Sequence, residues 1–412
     1  MKNKGFVINL SLIILGILFY FVANFQRTAI PGAVFDVLEQ ELAVGAPQIT
    51  AFGAIFMYIY AFTQLLNAIF VDRFGGIRVM AAGAVILGLG CLLFPLTSNL
   101  SVMYLSRALL GLGGSMFYLS IIKELGNVFS DKNFGIALSV MLFVGYAGGI
   151  IANAPFVYAM KFLGWREILF VVSGVVIVAS IVYFVLLAKT KLPEINTHVK
   201  LRDLPFRLVL HKKHNINLIT FACCNFGISY VIQTVIGKKF LEDFCSYTSG
   251  KAAIILSIMA IVAAVANIVN ASICKLCHNH RVIFLKCASG ITFISLLTIC
   301  ILIYFNIKSV AIAVIFCILA GNASLSSILV PVLHQTNKKA ICTTAVSIMN
   351  FSYFLMVGIL GNVTGHVLHV FEPKRVGSTL IYDNNSYLLL FVIFLILSIY
   401  ELYKASKLSN KY

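Results

Sequence analysis

Residues 68–78 read Ala-Ile-Phe-Val-Asp-Arg-Phe-Gly-Gly-Ile-Arg, a short charged and glycine-rich break between two long apolar runs at 47–71 and 77–97. A helix needs about 20 apolar residues to cross a bilayer, and both runs are long enough. Strands of a membrane barrel are only about ten residues long, and backbone amides cannot stay unpaired in lipid. The segment therefore predicts two membrane-spanning helices joined by a tight polar turn.

Apolar runs of this kind occupy the whole chain. Six precede a polar stretch at 189–213 and six follow it, at 6–36, 47–71, 77–97, 100–124, 133–160, 167–188, 214–241, 249–274, 282–305, 308–333, 340–370 and 386–405. Of the 412 residues, 60% are hydrophobic and 11% charged, and the mean hydropathy is +0.99. Soluble domains are about 25% charged, so this composition excludes an ordinary soluble enzyme, a disordered protein and a nucleic-acid-binding protein.

We predict an all-α polytopic membrane protein with twelve transmembrane helices in two six-helix bundles. The N-terminal bundle spans 1–188 and the C-terminal bundle spans 214–412, with 189–213 as a basic cytoplasmic linker. The basic loop after span eight weakly repeats the loop after span two, as expected for duplicated halves.

The basic residues indicate the orientation. There are 31 Lys and Arg against 14 Asp and Glu, and Lys and Arg accumulate in cytoplasmic loops of membrane proteins. With both termini in the cytoplasm, the basic residues outside are Lys161, Arg166, Lys238, Lys239, Lys251, Lys308, Lys374 and Arg375. Arg27 and Arg107 fall within spans, and the remaining basic residues are cytoplasmic. The composition, rich in Lys, Ile, Asn and Phe, favours a bacterial inner (plasma) membrane.

The quoted segment resembles the loop signature of the major facilitator superfamily, Gly-x-x-x-Asp-Arg-x-Gly-Arg-Arg, which lies between spans two and three. Ala68 replaces the first glycine here, and Gly76-Ile77 replaces the two basic residues. The resemblance implies an inner gate formed by Asp72, Arg73, Gly75 and Arg78. Asp72 is expected to pair with a basic group or a helix N-terminus of the neighbouring bundle, although a generic ion pair at a helix end gives the same pattern.

Two further segments carry glycines at close-packing spacing. In span four, Arg107 and Gly111 fit the superfamily motif Arg-x-x-x-Gly-x-Gly, and in span five Gly145 and Gly149 lie one turn apart. We assign these four positions to conformational change, while Arg107 either extends to the outer interface or serves coupling. Drug-proton antiporters of the superfamily carry Gly-Pro in the middle of span five. Span five of this chain lacks that pair, which disfavours a multidrug exporter here.

Arg27 lies deep in the first apolar run, where a charge costs several kcal/mol and is seldom kept without a function. Tyr20 and Asn24 share its helix face, and Tyr60 and Gln64 are placed similarly in span two. These five residues are candidate substrate ligands, with Arg27 anchoring a carboxylate or phosphate. All 14 acidic residues are assigned to loops or span ends, so no buried counter-acid is expected.

Alternatives remain for these and other polar positions. Arg27 at the outer interface would pair with Asp36 or Glu39 instead. In the second half, Tyr230, Gln233 and Asn350 are candidate substrate ligands that equally fit hydrogen bonding between helices. The two lysines at 238–239 either attract anions to the mouth of the transport pathway or extend their side chains to the membrane interface.

Catalytic and cofactor patterns are not supported. Residues 274–278 match the Cys-x-x-Cys-His haem pattern, but the predicted topology puts them in the cytoplasm, and a zinc site would need four ligands from seven residues. There is no phosphate-binding glycine loop and no Ser/His/Asp arrangement, so neither an enzyme nor a cofactor or metal is predicted.

The residues and the resemblance together predict a secondary active transporter. It moves a small organic anion, a carboxylate or phosphate ester, by alternating access, with a proton or a counter-anion as the coupling ion. We expect a monomer that binds no nucleic acid. The alternatives are a transporter of amino acids or other small nutrients, and a non-transporting membrane receptor on the same scaffold.

Overall fold

The computed structural model describes residues 2–190, 206–278, 280–337, 339–377 and 379–409. Its helices are α1 Lys2–Ala29, α2 Phe35–Leu42, α3 Ala46–Phe74, α4 Gly76–Leu96, α5 Leu100–Val128, α6 Asp131–Ile151, α7 Ala154–Ala159, α8 Trp165–Ala188, α9 Phe206–Leu210, α10 Lys213–Val231, α11 Gly237–Asp243, α12 Ser249–Leu276, α13 Arg281–Tyr304, α14 Ala311–Ala323, α15 Ser326–Thr336, α16 Lys339–Leu368 and α17 Asn384–Ser406. A 3-10 turn covers Gly32–Val34 and a π-helical turn covers Ile232–Ile236. A short antiparallel hairpin pairs β1 (Lys374–Val376) with β2 (Thr379–Ile381).

Twelve helical segments of the described chain are long and apolar enough to cross a membrane. Ten of them are single helices. The seventh, Lys213–Asp243, joins α10 and α11 through the π-helical turn, and the tenth joins α14 and α15 across a break. The predicted all-α fold with twelve transmembrane helices is confirmed, because helices satisfy every backbone amide within the segment.

The chain divides into two compact units whose boundaries differ from the predicted halves. Unit 1 comprises the described residues of Met1–Ala29 and Ile55–Asp203, and unit 2 comprises those of Ile30–Ala54 and Leu204–Tyr412. The segment 30–54 was expected in the N-terminal bundle but groups with the C-terminal half. Of the expected linker 189–213, residues 191–205 lie outside the described part of the chain.

Unit 1 is held together by close helix contacts at glycine. A Cβ atom at Gly111 would lie 2.5 Å from the carbonyl oxygen of Phe56, and one at Gly113 would lie 2.6 Å from the amide nitrogen of Leu87. The backbones of α5, α3 and α4 thus approach each other where only hydrogen fits. Small residues permit such contacts in lipid, where packing replaces the hydrophobic effect as the main cause of association.

Unit 2 contains both interruptions of the spans. Where α14 gives way to α15, the side-chain amide of Asn270 donates to the carbonyl oxygens of Gly321 and Ser324, each at 2.9 Å. Asn270 therefore satisfies carbonyl groups that the broken helix leaves without their usual partners. Helix α10 packs along α16 and α17, which fixes the side chains of the seventh span.

Candidate functional site

The predicted face of α1 forms a connected set of polar contacts. The Arg27 guanidinium donates through Nη2 to Oδ1 of Asn24 at 2.5 Å. The Asn24 amide donates in turn to the backbone carbonyl of Tyr20 at 2.7 Å. The i, i+4, i+7 spacing brings these residues together because they lie on successive turns of one helix. Asn24 is buried and Arg27 is half-buried.

Helix α3 supplies the other side of this arrangement. The Tyr60 ring lies below the Arg27 guanidinium, with 5.7 Å between the ring centroid and Cζ. Gln64 donates from Nε2 to the Tyr60 hydroxyl at 3.1 Å, and both residues are buried. A guanidinium over an aromatic face gains a cation–π attraction, which increases when water is excluded. The structure thus brings Arg27, Asn24, Tyr60 and Gln64 into one cluster, which we call the arginine cluster.

Tyr20 joins this cluster from the next turn and brings in aromatic residues that the sequence analysis did not select. Its ring lies 6.1 Å from that of Tyr118 on α5. A Cβ atom at Gly145 would collide with the Tyr20 ring, so glycine on α6 makes room for it. Three further tyrosines, Tyr60, Tyr118 and Tyr146, lie near Tyr20. Tyr118 and Tyr146 were not selected from the sequence, where only their occurrence as hydroxyl-bearing aromatics within spans four and five marked them.

Gly145 and its neighbours also set the distance between α6 and α1. A Cβ atom at Gly148 would collide with the carbonyl oxygen of Phe21, and one at Gly149 would lie 3.4 Å from the Thr28 hydroxyl. The glycine-rich stretch of span five therefore packs directly against the helix that carries Arg27. Any movement of α6 along α1 changes the surroundings of Tyr20.

The arginine cluster is a positively charged site in an amide- and phenol-rich environment. Asp72, Glu124 and Glu167, the acidic side chains described in unit 1, lie near the ends of α3, α5 and α8. A guanidinium surrounded by hydroxyl and amide groups suits a carboxylate, sulfonate or phosphate, because these accept its paired donors. The cluster therefore has the chemistry of an anion site.

Asp36 and Glu39, the alternative partners considered for Arg27, belong to unit 2 and have other contacts. Asp36 pairs with Lys239 at 2.6 Å, and Glu39 accepts a hydrogen bond from the Tyr382 hydroxyl. Lys238 and Lys239 were expected either to snorkel or to attract anions at the interface. Their side chains are instead 4% and 1% exposed, which contradicts the snorkelling interpretation.

Arg107 does not extend to the interface. Its side chain is fully buried and donates through Nη1 to the carbonyl oxygen of Gln26 at 3.0 Å. Its guanidinium also lies 4.8 Å from the centroid of the Phe56 ring. Arg107 thus links α5 to α1 and α3 one turn away from the arginine cluster.

The loop between spans two and three contains an ion pair and a conformationally special glycine. Asp72 accepts from Lys123 of α5 at 3.1 Å, within unit 1, and Lys123 also donates to the carbonyl oxygen of Val71. Gly75 has a φ of 82°, which side-chain-bearing residues rarely adopt. Arg78 donates to the carbonyl oxygen of Phe74, and Arg73 lies over the Phe74 ring. Lys123 was missed, and its position at the end of span four was the available signal.

The candidate residues of the second half lie on two helices of unit 2 that pack together. Tyr230 on α10 stacks on Phe226, which also stacks on Tyr353 of α16, with ring centroids 4.9 and 4.8 Å apart. Gln233 lies within the π-helical turn, and Asn350 lies one turn before Tyr353; both are half-buried. Tyr230 was predicted from the sequence, whereas Phe226, whose aromatic ring joins the two helices, was not.

The expectation that every acid lies in a loop or at a span end was wrong for Glu401. Its side chain is fully buried in α17 and accepts from the Asn225 amide at 2.9 Å. Asn225 also donates to the Thr292 hydroxyl, so α10, α13 and α17 are joined by this polar network. Glu401 lies five residues before the end of α17, close enough to the polar tail to look interfacial in the sequence.

The fold is that of a polytopic helical membrane protein. The family model described as Major Facilitator Superfamily matches residues 16–361. The chain therefore belongs to this family. The match covers most of both halves, so family and fold are those of a transporter.

Solved structures share this fold along nearly the whole chain. A bacterial homologue of the human lysosomal transporter Spinster, in an inward-facing and unoccupied conformation, is 15% identical with a TM-score of 0.71, over 97% of both chains. A mutant of the nucleoside transporter NupG is 14% identical with a TM-score of 0.71, over 97% of this chain and 99% of that one.

A curated relative is similar over part of its length. The protein named "Probable sulfoacetate transporter SauU" of Cupriavidus necator is 24% identical over 172 residues, which is 41% of this chain and 40% of the relative.

Proposed function

We propose that this protein is a secondary active transporter that moves a small organic anion across the membrane by alternating access. The observation that carries the proposal is the arginine cluster, in which a guanidinium inside a transmembrane span is oriented by Asn24 and Tyr60. Arg27 lies in the last turn of α1 and is half-buried, and placing a charged side chain inside a membrane span is costly. Anion binding is the function that best accounts for this cost.

The chemistry of the cluster supports a substrate with a carboxylate, sulfonate or phosphate group. Each of these presents two or three oxygens that accept paired guanidinium donors, and a charge-assisted hydrogen bond contributes about 1.5–3 kcal/mol. The name of the partial relative, a probable sulfoacetate transporter, supports the same class, because sulfoacetate carries two such groups. Tyr230, Gln233 and Asn350 are proposed to contact the rest of the substrate.

The orientation and the remaining assignments are part of the proposal. Both termini are proposed to lie in the cytoplasm, because basic residues are in excess on one set of loops, and the protein is proposed to be a monomer of a bacterial inner membrane. The N-terminal and C-terminal bundles are the moving halves, joined by the basic linker, with 30–54 as part of the C-terminal one. The coupling ion is a proton or a counter-anion.

The loop between spans two and three is proposed as the inner gate. Its ion pair between Asp72 and Lys123 is partly exposed, and Gly75 allows the chain to reverse direction within one residue. We propose that Asp72, Arg73, Gly75 and Arg78 stabilise the closed inner end. Arg107, Gly111, Gly145 and Gly149 set helix contacts that change during transport.

Counterflow in proteoliposomes tests the proposal. Vesicles containing the full chain are loaded in turn with sulfoacetate, mono- and dicarboxylates, phosphate esters and amino acids, and uptake of the labelled counterpart is measured. Arg27→Ala is compared with Arg375→Ala, which removes the same charge from the exposed β-hairpin. We expect exchange of one anion class, lost in Arg27→Ala and kept in Arg375→Ala.

Other outcomes would overturn the proposal in different ways. Exchange of amino acids or neutral solutes that survives Arg27→Ala would make Arg27 structural and favour a nutrient transporter. Binding of a solute without any flux would favour a receptor.

A further inference from the structure

A buried group of charged residues joins the loop after α1 to the seventh span within unit 2. Lys239 of α11 lies 2.6 Å from Oδ1 of Asp36 and 3.0 Å from Oδ1 of Asp243. Lys238 lies 2.8 Å from Glu242 and 3.7 Å from Asp36. Glu39, one turn after Asp36 on α2, accepts from the Tyr382 hydroxyl. We call these residues, with Tyr382, the carboxyl cluster.

The carboxyl cluster contains more acidic than basic groups. Four carboxyl groups, those of Asp36, Glu39, Glu242 and Asp243, face two lysines, and their side chains are nearly all shielded from water. Burying an uncompensated charge is strongly unfavourable, so such a site lowers its charge by holding protons. An ion-paired cluster without spare carboxyl groups would have no such need.

Asp36 and Glu242 share one lysine. The Lys238 ammonium lies 2.8 Å from Glu242 and 3.7 Å from Asp36, so two carboxyl groups face a single positive charge there. Burial opposes ionisation of Asp36, but the two lysine ammonium groups and the Glu242 carboxyl together outweigh it and keep the pKa of Asp36 below its usual value. The protons that the cluster holds are therefore expected on carboxyl groups other than Asp36.

Glu39 is the carboxyl group of the cluster whose surroundings most favour a bound proton. It is 4% exposed, and within the described chain its Oε2 atom has no hydrogen-bond partner although Oε1 accepts from Tyr382. Burial raises the pKa of Glu39 to about 7, against the hydrogen bond from Tyr382 and the attraction of Lys239. Burial also raises the pKa of Tyr382, so its hydroxyl keeps its proton and remains a donor.

We propose that the carboxyl cluster is a proton-binding site of the transport cycle, with Glu39 as the group that gains and loses the proton. The proposal rests on the proposed transport function and identifies its coupling ion as a proton. When Glu39 is ionised, a proton from water bonds to Oε2 of the carboxylate and leaves a neutral acid. The reverse step returns the proton to water, and no other reactant is needed.

Every element packed around Glu39 contributes groups to this equilibrium. The charged and titratable residues that face or adjoin it are Asp36 on its own helix, Lys238, Lys239, Glu242 and Asp243 of α11, Tyr382 after β2, Tyr387 of α17 and His369 after α16. His369 contacts the Tyr382 ring, and burial and the neighbouring His366 lower the pKa of His369, which favours its neutral form.

The location of the carboxyl cluster explains how a proton would affect transport. The Tyr382 hydroxyl also accepts from the backbone amide of Ala46, the first residue of α3, at 3.0 Å. A neutral Glu39 therefore stabilises the packing of 30–54 against α11 and the β-hairpin. An ionised Glu39 weakens it, because an unpaired negative charge is then buried. Proton loss thus favours separation of this segment from the seventh span.

Glu39→Gln tests the site, and Glu41→Gln is the matched control, since Glu41 lies on the same helix and is exposed. The first readout needs no substrate: infrared titration of protonated carboxyl groups in the purified full chain, between about pH 5 and pH 9. We expect the control and the wild type to show one more carboxyl group titrating near pH 7 than Glu39→Gln.

The second readout is transport in proteoliposomes. At equal pH on both sides, the anion counterflow of each variant serves as its reference, because exchange needs no net proton movement. Accumulation driven by a pH gradient should fall at least tenfold in this variant and remain normal in Glu41→Gln. An unchanged infrared titration, or unchanged gradient-driven accumulation, in Glu39→Gln overturns the inference. Absence of anion counterflow in the wild type overturns the proposed function instead, while the infrared titration still decides the proton site.

Discussion

Lys239 and Asp36 form a 2.6 Å ion pair between the seventh span and the short helix that follows the first span. The lysine side chain is 1% exposed and also contacts Asp243 and the carbonyl oxygen of Leu380. Lys239, which its place near the end of span seven assigned to the interface, is thus the centre of a buried network. Five elements of unit 2 contact one another through this network. Substitutions in it are therefore expected to destabilise the packing of unit 2.

Replacing Lys239 with Met should destabilise the protein strongly. Removing one partner of a buried ion pair typically costs about 3–5 kcal/mol, since Asp36 and Asp243 would be left without their ammonium. Thermal unfolding in detergent at neutral pH would measure the loss. Lys251→Met is the control, because Lys251 is exposed and lies over the Tyr247 ring. Equal melting temperatures for the two variants would contradict the importance of this network.

The stability of the wild type should fall as pH rises from about 4.5 to about 7. Burial raises the pKa of Glu39 from 4.5 to about 7, so between these values the folded state binds more protons than the unfolded state. The stabilisation is complete below the unfolded-state pKa and is lost as pH rises through the folded-state pKa, with a total of at most about 3 kcal/mol. Chemical unfolding across this pH range should show a weaker slope in Glu39→Gln than in Glu41→Gln.

Arg27→Lys should keep the charge but lose the paired donors. An ammonium cannot form the two parallel hydrogen bonds that a guanidinium offers to a carboxylate or phosphate. We expect the apparent affinity for the transported anion to fall about tenfold to a hundredfold, equivalent to one charge-assisted hydrogen bond. Concentration dependence of counterflow would measure this, and an unchanged half-saturation concentration would argue against direct contact with the substrate.

Gly145→Ala should perturb the arginine cluster without removing any of its polar groups. The added methyl group collides with the Tyr20 ring, which must move away from α6 at a cost of about 1–3 kcal/mol. Gly174→Ala adds the same methyl group in unit 1 where no atom lies within 4 Å. We expect weaker substrate binding only in Gly145→Ala, with both proteins folded by circular dichroism. The same loss in both variants would point to a general helix effect.

The ion pair at the loop between spans two and three should contribute little to stability. Asp72 and Lys123 are partly exposed, and such pairs typically contribute about 0–1 kcal/mol. A double-mutant cycle with Asp72→Asn and Lys123→Gln should therefore give a small coupling in thermal unfolding. If the loop is the inner gate, the same variants should alter the transport rate by several-fold. Unaltered rates in both single variants would remove the pair from the gating mechanism.

Local patterns predicted the elements and the contacts within single helices. The twelve spans follow from runs of apolar residues, because lipid admits only helices with internally paired amides. The contact between Arg27 and Asn24 follows from their spacing on one helix, and so does the contact between Tyr60 and Gln64. These distances depend on helix geometry and on nothing further along the chain.

Contacts across helices were predicted less well. Glu401 and the lysines at 238–239 were placed at the interface because they lie near span ends, yet all three are buried. Hydropathy reports how a residue interacts with solvent but not whether another segment covers it. The grouping of 30–54 with unit 2 is another case, since it depends on partners about two hundred residues away.

The sequence by itself determined the membrane-spanning helices, the turn at Asp72–Gly75 and the single arginine of the first span, because these depend on hydropathy, charge and residue spacing along one segment. The tertiary structure decided which residues surround that arginine and which carboxyl groups pair with Lys238 and Lys239. Packing makes this decision, since it brings distant segments together, excludes water between them and thereby sets which charges are compensated.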